Sequence, residues 1–261
     1  MNSYNIKNLI IVVTGAAGQL GQSIINHALD CGACIAAMDI SKENLQIVAT
    51  KNAWTENVFL QEIDITKEDS IKNAYESTIK KFGRIDSVIN NAGISVFDPW
   101  YDRAESDFDM VMDVNLKGTF FCIKQFLTYL IKSQNNGSIV NIASHYGIIS
   151  PDPRIYTDCD RRNSEVYGAT KAGIIQMTKY FSVNALEDGA SVRINSIAPG
   201  GILNEENPQG SDFQKLYSER CPMKRMARVE EMTGPILFLL SPDASYINGQ
   251  TIIVDGGMSA W

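Results

Sequence analysis

A tyrosine and a lysine stand four positions apart in the stretch SEVYGATKAG, which covers residues 164 to 173. Residues with this spacing share one face of a helix, so the pattern brings the Tyr167 hydroxyl and the Lys171 ammonium together. A tyrosine with its ordinary pKa of about 10 is a poor base at neutral pH, and a neighbouring ammonium favours the phenolate. The pair therefore predicts proton transfer at the oxygen of an alcohol or ketone while a hydride moves to or from a nicotinamide.

Two more polar residues can complete this chemistry. Ser144 closes the apolar run GSIVNIAS, where the end of a strand would present its hydroxyl to the substrate oxygen, and Asn115 could fix a water that carries protons from Lys171 to solvent. His145 invites a hydrolase interpretation, but no G-x-S-x-G turn surrounds the preceding serine. Each residue alone also has an ordinary structural explanation, such as a helix cap, a turn residue or a core aromatic.

A glycine-rich turn near the N-terminus indicates where a cofactor would bind. In IVVTGAAGQLGQSIINHAL, Gly15, Gly18 and Gly21 stand between an apolar run and an amphipathic helix. Glycine permits the tight turn and the close approach of a pyrophosphate, which then lies against the helix N-terminus. Asp39 closes the next apolar run, where a carboxylate accepts hydrogen bonds from a ribose and repels a 2'-phosphate. We therefore expect NAD rather than NADP, although Lys42 could soften the discrimination.

Seven short apolar runs recur along the chain: LIIVVTG, CIAAMDI, VFLQEIDI, IDSVINNAG, GSIVNIAS, VRINSIAPG and TIIVDGG. Strands that are apolar throughout and alternate with helices form a parallel sheet covered on both faces. No linker, low-complexity tract or repeat divides the sequence. We predict one α/β domain over residues 1–261, with a doubly wound parallel sheet of about seven strands, the Rossmann fold.

Composition excludes several other classes of function. The net charge of −7 and the absence of Lys/Arg runs argue against nucleic-acid binding. No stretch approaches the length of a membrane span, so we expect a soluble cytoplasmic protein. Cys31 and Cys34 form a C-x-x-C, but it follows a helix and precedes a strand, which suits neither a redox pair nor zinc. We predict no metal site.

Taken together, the motifs resemble the short-chain dehydrogenase/reductase family over nearly the whole chain. They occur in the family's order: TGAAGQLG, then the Asp-Ile pair at 64 and 65, NNAG at 90 to 93, VN at 114 and 115, IAS, the Tyr/Lys pair, Pro-Gly at 199 and 200, and VDGG. The resemblance implies that Asp64 and Ile65 contact adenine, that the NNAG segment supports the cofactor and that the segment after Pro-Gly meets the carboxamide. The predicted cofactor residues are Gly15, Gly18, Gln19, Leu20, Gly21, Asp39, Asp64, Ile65, Asn90, Asn91, Ala92, Gly93, Tyr167, Lys171, Pro199, Gly200 and Ile202.

Three departures from the family pattern leave other functions open. The glycine spacing matches the branch of sugar-nucleotide epimerases and dehydratases, although 261 residues leave no room for that branch's substrate domain. Asn204 replaces a usual threonine, and Ser144 and Tyr167 are 23 positions apart, about ten more than is common. The alternatives to a dehydrogenase or reductase are an epimerase or dehydratase that recycles bound NAD and a non-catalytic NAD-binding scaffold or sensor.

The extra residues fall between His145 and Glu165, and we expect this loop to cover the substrate. Its PDPRIY stretch and Arg161-Arg162 pair resemble the branch associated with flagellin and surface-glycan modification, which implies a sugar or sugar phosphate in carbohydrate biosynthesis. We therefore predict substrate contacts from His145, Arg154, Arg161 and Arg162, with the alternative that the arginines pair with loop aspartates. Family members commonly form homodimers or homotetramers, and we expect the same here.

Overall fold

A seven-stranded parallel sheet in the order β3-β2-β1-β4-β5-β6-β7 forms the centre of the computed structural model, which describes residues 4–157 and 162–261. The strands are β1 Ile10–Thr14, β2 Cys34–Asp39, β3 Val58–Glu62, β4 Ser87–Asn90, β5 Asn136–Ile142, β6 Ser191–Pro199 and β7 Thr251–Val254. Each strand coincides with one of the seven predicted apolar runs to within one residue at its start, which confirms the doubly wound fold. Because all seven strands share one sheet, we infer that residues 1–261 form one domain.

Helices cover both faces of this sheet. They are α1 Gln19–Asp30, α2 Lys42–Lys51, α3 Glu68–Phe82, α4 Glu105–Val111, α5 Thr119–Ser133, α6 Glu165–Glu187, α7 Ser211–Arg220 and α8 Glu230–Leu240. Alternation along β1 sends Val13 into the core under α1 and α8, and Val12 into the core under α3 and α5. Fully burying such a side chain contributes roughly 1.5–3 kcal/mol, so both faces stabilise the sheet.

Strand order places the functional edge of the sheet. The chain winds from β1 outward to β3 and then returns to β4 beside β1. Loops after β1 and β4 therefore leave the carboxyl edge in opposite directions and open a crevice there. Gly15 follows β1, Asn91 follows β4, and Ser144 lies just beyond the end of β5. Within the described ranges, no helix has both the length and the apolarity needed to cross a membrane.

A π-helical segment interrupts the helical run between residues 105 and 133. Helix α4 passes directly into the segment Met112–Gly118, which continues as α5. The sequence predicts helix here but not the wider turn. Such segments occur frequently at functional sites, and Asn115 lies within this one, fully buried.

The His145–Glu165 loop begins as a 3₁₀ turn at His145–Gly147 and forms another at Pro153–Ile155. Ile155 is buried in a cluster with Tyr217 and Cys221, so the loop packs against α7 and its C-terminal end. The loop returns at Ser164, whose hydroxyl accepts a hydrogen bond from the Tyr167 amide and caps α6. This cap fixes the first turn of the helix that carries Tyr167.

Candidate active site

Three adjoining cavities form a channel along the carboxyl edge of the sheet. The first, beside the glycine turn, measures about 930 Å³, the middle one about 630 Å³ and the outer one about 1190 Å³. Leu20, Asn91 and Gly93 line both the first and the middle cavity. Ser144, Tyr167 and Gly200 line both the middle and the outer one. The channel therefore leads from the glycine turn past the predicted reacting residues into the space under the inserted loop.

The glycine turn has the close backbone approach that a dinucleotide requires. Gly15 has φ +65°, and a Cβ there would lie 2.8 Å from the Ala92 Cα. A Cβ on Gly21 would collide with the Gly15 carbonyl oxygen, so the first turn of α1 packs directly on the loop. Only glycine fits both positions, and the N-terminus of α1 is left facing the first cavity through Gly18 and Leu20. These residues fit a bound pyrophosphate.

Two carboxylates line the first cavity. Asp39 closes β2 and accepts hydrogen bonds from the Ala17 amide at 3.0 Å and the Ser41 amide at 3.2 Å. Asp64 accepts a hydrogen bond from the Thr66 hydroxyl at 2.6 Å, and this bond is the main reason that the pKa of Asp64 is lowered. These hydrogen bonds orient both side chains at the predicted adenosine end, where Ile65 also lines the wall.

Asn91 ties the glycine turn to the strand end at β4. Its side-chain amide donates to the Thr14 and Gly15 carbonyl oxygens, at 3.0 Å each. Ala92 and Gly93 line the first cavity beside it. A Cβ on Gly93 would lie 3.4 Å from the Lys171 Nζ, so this glycine lets the strand end approach the lysine closely.

Three predicted cofactor residues lie away from the channel wall in the described parts of the chain. Asn90 is buried in the sheet and donates to the Asn141 side chain at 2.8 Å, because its position in β4 points it along the sheet. The Gln19 side chain donates to the Leu203 carbonyl oxygen at 2.7 Å and fastens α1 to the segment after β6. Gly21 packs against the Gly15 carbonyl instead of facing a ligand. In this structure the side chains of Asn90 and Gln19 and the backbone at Gly21 therefore contact protein groups that surround the channel.

Ser144, Tyr167 and Lys171 meet where the middle and outer cavities join. The Ser144 side chain is hydrogen bonded to the Tyr167 hydroxyl, and its Oγ also accepts from the Tyr146 amide at 3.1 Å. The Lys171 Nζ lies 5.4 Å from the centroid of the Tyr167 ring and donates to the Ile142 carbonyl oxygen at 2.8 Å. The β5 strand end and one face of α6 thus converge on a single point.

Burial controls the protonation of this pair. It raises the pKa of Tyr167, an effect that the bond to Ser144 opposes, and it lowers the pKa of Lys171 to about 8. The expectation that Lys171 lowers the pKa of Tyr167 does not hold in this structure, because the ammonium faces the ring and the Ile142 carbonyl rather than the phenolic oxygen. At neutral pH the site therefore holds a protonated tyrosine beside a charged lysine.

The side-chain amide of Asn115 forms hydrogen bonds with the backbone of the neighbouring loop. Its Oδ1 accepts from the Ile94 amide at 2.8 Å, while its Nδ2 donates to the Ile94 carbonyl at 2.9 Å and to the Thr170 hydroxyl at 3.2 Å. The π-helical segment directs this side chain toward α6. Asn115 therefore joins the strand end after β4 to the helix that carries both Tyr167 and Lys171.

The outer cavity is lined by neutral and aromatic side chains. In the described ranges its wall consists of Phe97, Ser144, His145, Tyr146, Tyr156, Asn163, Tyr167, Gly200, Gly201, Gln209, Gly210, Phe213, Tyr217 and Met226. His145 is 2 % exposed, and burial lowers its pKa to about 4, so its imidazole is neutral at physiological pH. The His145–Glu165 loop thus contributes part of this wall, including His145 itself.

The predicted loop arginines have a different placement. Arg154 forms a bidentate pair with Asp152, at 2.9 and 2.7 Å, and Arg220 of α7 approaches the same carboxylate at 3.2 Å. The two guanidinium groups lower the pKa of Asp152 to about 2, with Arg154 the larger influence. Arg162 is exposed and lies outside the cavity wall, with its amide donating to the Phe97 carbonyl, and Arg161 lies outside the described residues. Arg154 therefore follows the alternative prediction, in which a loop arginine pairs with a loop aspartate.

Sequence reasoning missed most of the aromatic lining. Phe213 and Tyr217 are four positions apart on α7, a spacing that places both on one helix face and gave a signal that went unused. Tyr146 and Tyr156 belong to the inserted loop, where the predicted contacts were His145 and the arginines. Phe97 had no signal in the sequence, since it lies on an irregular segment after β4.

Comparison with known proteins agrees with this geometry. A family model described as enoyl-(acyl carrier protein) reductase matches residues 15–259. The chain is 37 % identical over 257 residues to 3-oxoacyl-(acyl-carrier-protein) reductase of Thermotoga maritima, which covers 97 % of this chain and 98 % of that protein. It belongs to the short-chain dehydrogenase/reductase family. As a member, it is an NAD(P)-dependent oxidoreductase.

Two further members of the short-chain dehydrogenase/reductase family are similar along their whole length. A short chain dehydrogenase from Leptospira borgpetersenii, crystallised with bound NAD+, matches with a TM-score of 0.87 and 32 % identity over 98 % of this chain and 94 % of that one. Post-translational flagellin modification protein A of Campylobacter coli is 27 % identical over 97 % of this chain and 98 % of that protein. The whole fold is therefore shared with these dehydrogenase/reductase relatives.

Proposed function

We propose that this chain interconverts a secondary alcohol and a ketone of a small molecule, with NAD(H) as the hydride carrier. The observation that supports this best is the meeting of Ser144, Tyr167 and Lys171 at the junction of the two cavities. One cavity leads from there to the glycine turn and the other opens under the inserted loop. A cofactor and a substrate bound in the two cavities would therefore face each other at the reacting residues.

Each of these side chains has a distinct task in the proposed reaction. When bound, nicotinamide supplies or accepts the hydride. The Tyr167 hydroxyl donates its proton to the ketone oxygen in reduction, and Ser144 holds that oxygen by a hydrogen bond. Lys171, whose ammonium lies beside the same ring, returns a proton to the phenolate that proton transfer leaves behind. Asn115 holds the Ile94 backbone beside Lys171, and we retain it in the path that returns a proton to the lysine.

We propose NAD(H) rather than NADP(H) because of Asp39. Its carboxylate is anchored by two backbone amides at the edge of the first cavity, where a ribose hydroxyl would donate to it. A 2'-phosphate in that place would meet a fixed negative charge.

We expect wild-type protein to bind NADH at least tenfold more tightly than NADPH, since one lost charge-assisted hydrogen bond costs about 1.5–3 kcal/mol. Asp39→Ser should weaken NADH binding and leave the two affinities within about threefold, whereas Asp30→Asn, at the end of α1, should change neither. Titration of protein fluorescence with each nucleotide measures both affinities. Equal wild-type affinities would contradict the assignment.

The substrate that we propose is a sugar-derived alcohol or ketone of glycan biosynthesis. The inserted loop resembles that of the flagellin-modification branch, and the printed name of the Campylobacter coli relative refers to flagellin modification. The neutral lining of the outer cavity favours an unphosphorylated sugar over a sugar phosphate.

A screen of neutral sugars, sugar phosphates and nucleotide sugars with NADH or NAD+ tests the proposed reaction through the nicotinamide absorbance. Net oxidation of NADH in proportion to the substrate consumed supports a reductase. Conversion of a nucleotide sugar with NAD retained and no net change in absorbance would instead establish the epimerase or dehydratase alternative. Nucleotide binding with no turnover of any compound would favour the scaffold.

We also propose a homodimer or homotetramer formed through α5 and α6. Three residues on α6, Tyr180, Val183 and Leu186, are 47 to 61 % exposed, and Phe120 on α5 is 37 % exposed. These two helices together present a broad apolar surface, which often marks an interface between subunits. Light scattering of the purified protein measures the assembly directly.

A further inference from the structure

The described part of the outer cavity offers no charge to a ligand. Of the described residues in its wall, none carries a carboxylate, ammonium or guanidinium group. The only titratable nitrogen base there belongs to His145, which burial keeps neutral, and its Nδ1 has no hydrogen-bond partner in the described structure. A charged group placed in this cavity would lose its hydration without gaining a partner of opposite sign, which is costly.

Four aromatic side chains make up one continuous part of the wall, here called the aromatic wall: Tyr146, Tyr156, Phe213 and Tyr217. The Tyr146 and Tyr156 hydroxyls are 3.2 Å apart. The Phe213 ring lies 5.3 Å from the Tyr156 ring and 5.9 Å from the Tyr217 ring, measured between centroids. Such a surface binds best to a flat or ring-shaped apolar face, because many dispersion contacts then form at once.

Contacts behind the aromatic wall hold it in place. The Tyr217 hydroxyl accepts a hydrogen bond from the Gly201 amide at 2.6 Å. Asp152 of the loop, between Arg154 and Arg220, fastens the segment that carries Tyr156 to α7. Ile155 packs beside Tyr217 in the same buried cluster. Protein groups alone make these contacts, and a preformed site selects by shape with little ordering cost.

Resting on the proposed reaction, we propose that the substrate is an uncharged ring compound, a cyclic alcohol or ketone whose face lies on the aromatic wall while its reacting oxygen meets Ser144 and Tyr167. The same cavity discriminates against anionic analogues. This narrows the proposed sugar to a neutral one and admits carbocyclic rings of similar size. It also gives Arg154 a structural role, because its pair with Asp152 lies outside the described cavity wall.

Matched ketones test the proposal in the NADH assay. We expect kcat/KM for 4-hydroxycyclohexanone to exceed that for 4-oxocyclohexanecarboxylate at least tenfold, and that for open-chain 6-hydroxy-2-hexanone at least fivefold. Phe213→Leu should reduce the preference for the ring over the open chain, while Phe108→Leu, on α4 outside the cavity wall, should not. Gln209→Arg should reduce the difference in kcat/KM between the carboxylate and the neutral ring, and Gln209→Leu should not. A wild-type enzyme that reduces the carboxylate as well as the neutral ring would overturn the proposal.

A binding measurement separates this proposal from the proposed reaction. Calorimetry of the same three ketones with the NADH complex of Tyr167→Phe detects binding without turnover. Preferential binding of the neutral ring, with no reduction by wild-type enzyme, would sustain the substrate class and reject the reaction. Reduction that depends on Tyr167 but treats all three ketones alike would sustain the reaction and reject the substrate class. Failure of every ring to bind would also count against the aromatic wall.

Discussion

Tyr167→Phe should lower kcat for ketone reduction by about 10³-fold, within the range that a positioned general acid contributes. The variant removes only the phenolic oxygen that is hydrogen bonded to Ser144. The ring stays over Lys171, and the cap from Ser164 to the residue 167 amide is unaffected, since it uses backbone. We therefore expect unchanged NADH affinity and an unchanged midpoint of thermal unfolding, measured by fluorescence titration and differential scanning fluorimetry.

Tyr246→Phe is the matched control for this loss. Tyr246 is fully exposed, near the C-terminus, and is absent from the walls of the three cavities. Its variant should retain wild-type kcat. If Tyr167→Phe turned over ketone within threefold of wild type, Tyr167 could not be the acid, and the proposed roles of Ser144 and Lys171 would have to be reconsidered with it.

The second large effect that we expect is a loss of reductase activity above pH 8. Burial lowers the pKa of Lys171 to about 8, so the ammonium is present below that pH and is lost as the pH rises. Burial raises the pKa of Tyr167, which therefore keeps its proton over the same range. With one ionisation controlling the rate, kcat should fall about tenfold per pH unit above the Lys171 pKa.

Lys171→Met should lower kcat at pH 7 by about 10²-fold and abolish this pH dependence. Lys179→Met, two turns further along α6 and exposed, should keep both the wild-type rate and the wild-type profile. Initial rates of NADH oxidation at saturating substrate from pH 6 to 9.5 provide the comparison. A wild-type profile that stays flat to pH 9.5 would show that Lys171 is not the titrating group.

Whereas kcat should fall as the pH rises, the contribution of Lys171 to folding stability should increase. The folded pKa of Lys171 lies below its ordinary value of 10.5, so between about pH 8 and 10.5 the unfolded chain binds a proton that the folded chain does not. The contribution of Lys171 to the free energy of unfolding therefore rises with pH in this window. Urea unfolding of wild type relative to Lys171→Met at pH 7 and pH 9.5 isolates that contribution from those of other groups.

The sequence predicted the fold and the reacting residues through different kinds of signal. Apolar runs that are too short for helices and separated by helical segments predicted all seven strands, because a parallel sheet is buried on both faces. The residue types and spacing in the glycine turn and in the Tyr167/Lys171 pair were enough to predict nucleotide binding and proton transfer. Ser144 could be placed as well, since a polar residue that ends a buried strand must lie at the edge of the sheet.

The character of the substrate cavity depended on tertiary contacts that span the chain. Arg154 and the neighbouring loop residues indicated an anionic ligand when considered locally, but Arg154 is neutralised by Asp152, which also binds Arg220, 68 positions further along the chain. The aromatic wall consists of residues from the loop and from α7, and no local sequence pattern indicates that these residues are in contact. A charged side chain in a loop does not reveal its partner until the chain is folded.

Protonation of the reacting pair was likewise decided by folding. From spacing alone, the ammonium of Lys171 should lower the pKa of Tyr167, and that interpretation assumed that the two charged ends face each other. In the structure, burial governs both groups and shifts their pKa values in opposite directions, that of Tyr167 upward and that of Lys171 downward. Residue types and their spacing therefore determined which groups take part in the reaction and which fold brings them together. Desolvation, ion pairing and the π-helical turn at Asn115 depend on how the chain packs. Only the tertiary structure therefore decided the charge states of the reacting groups and what surrounds those groups.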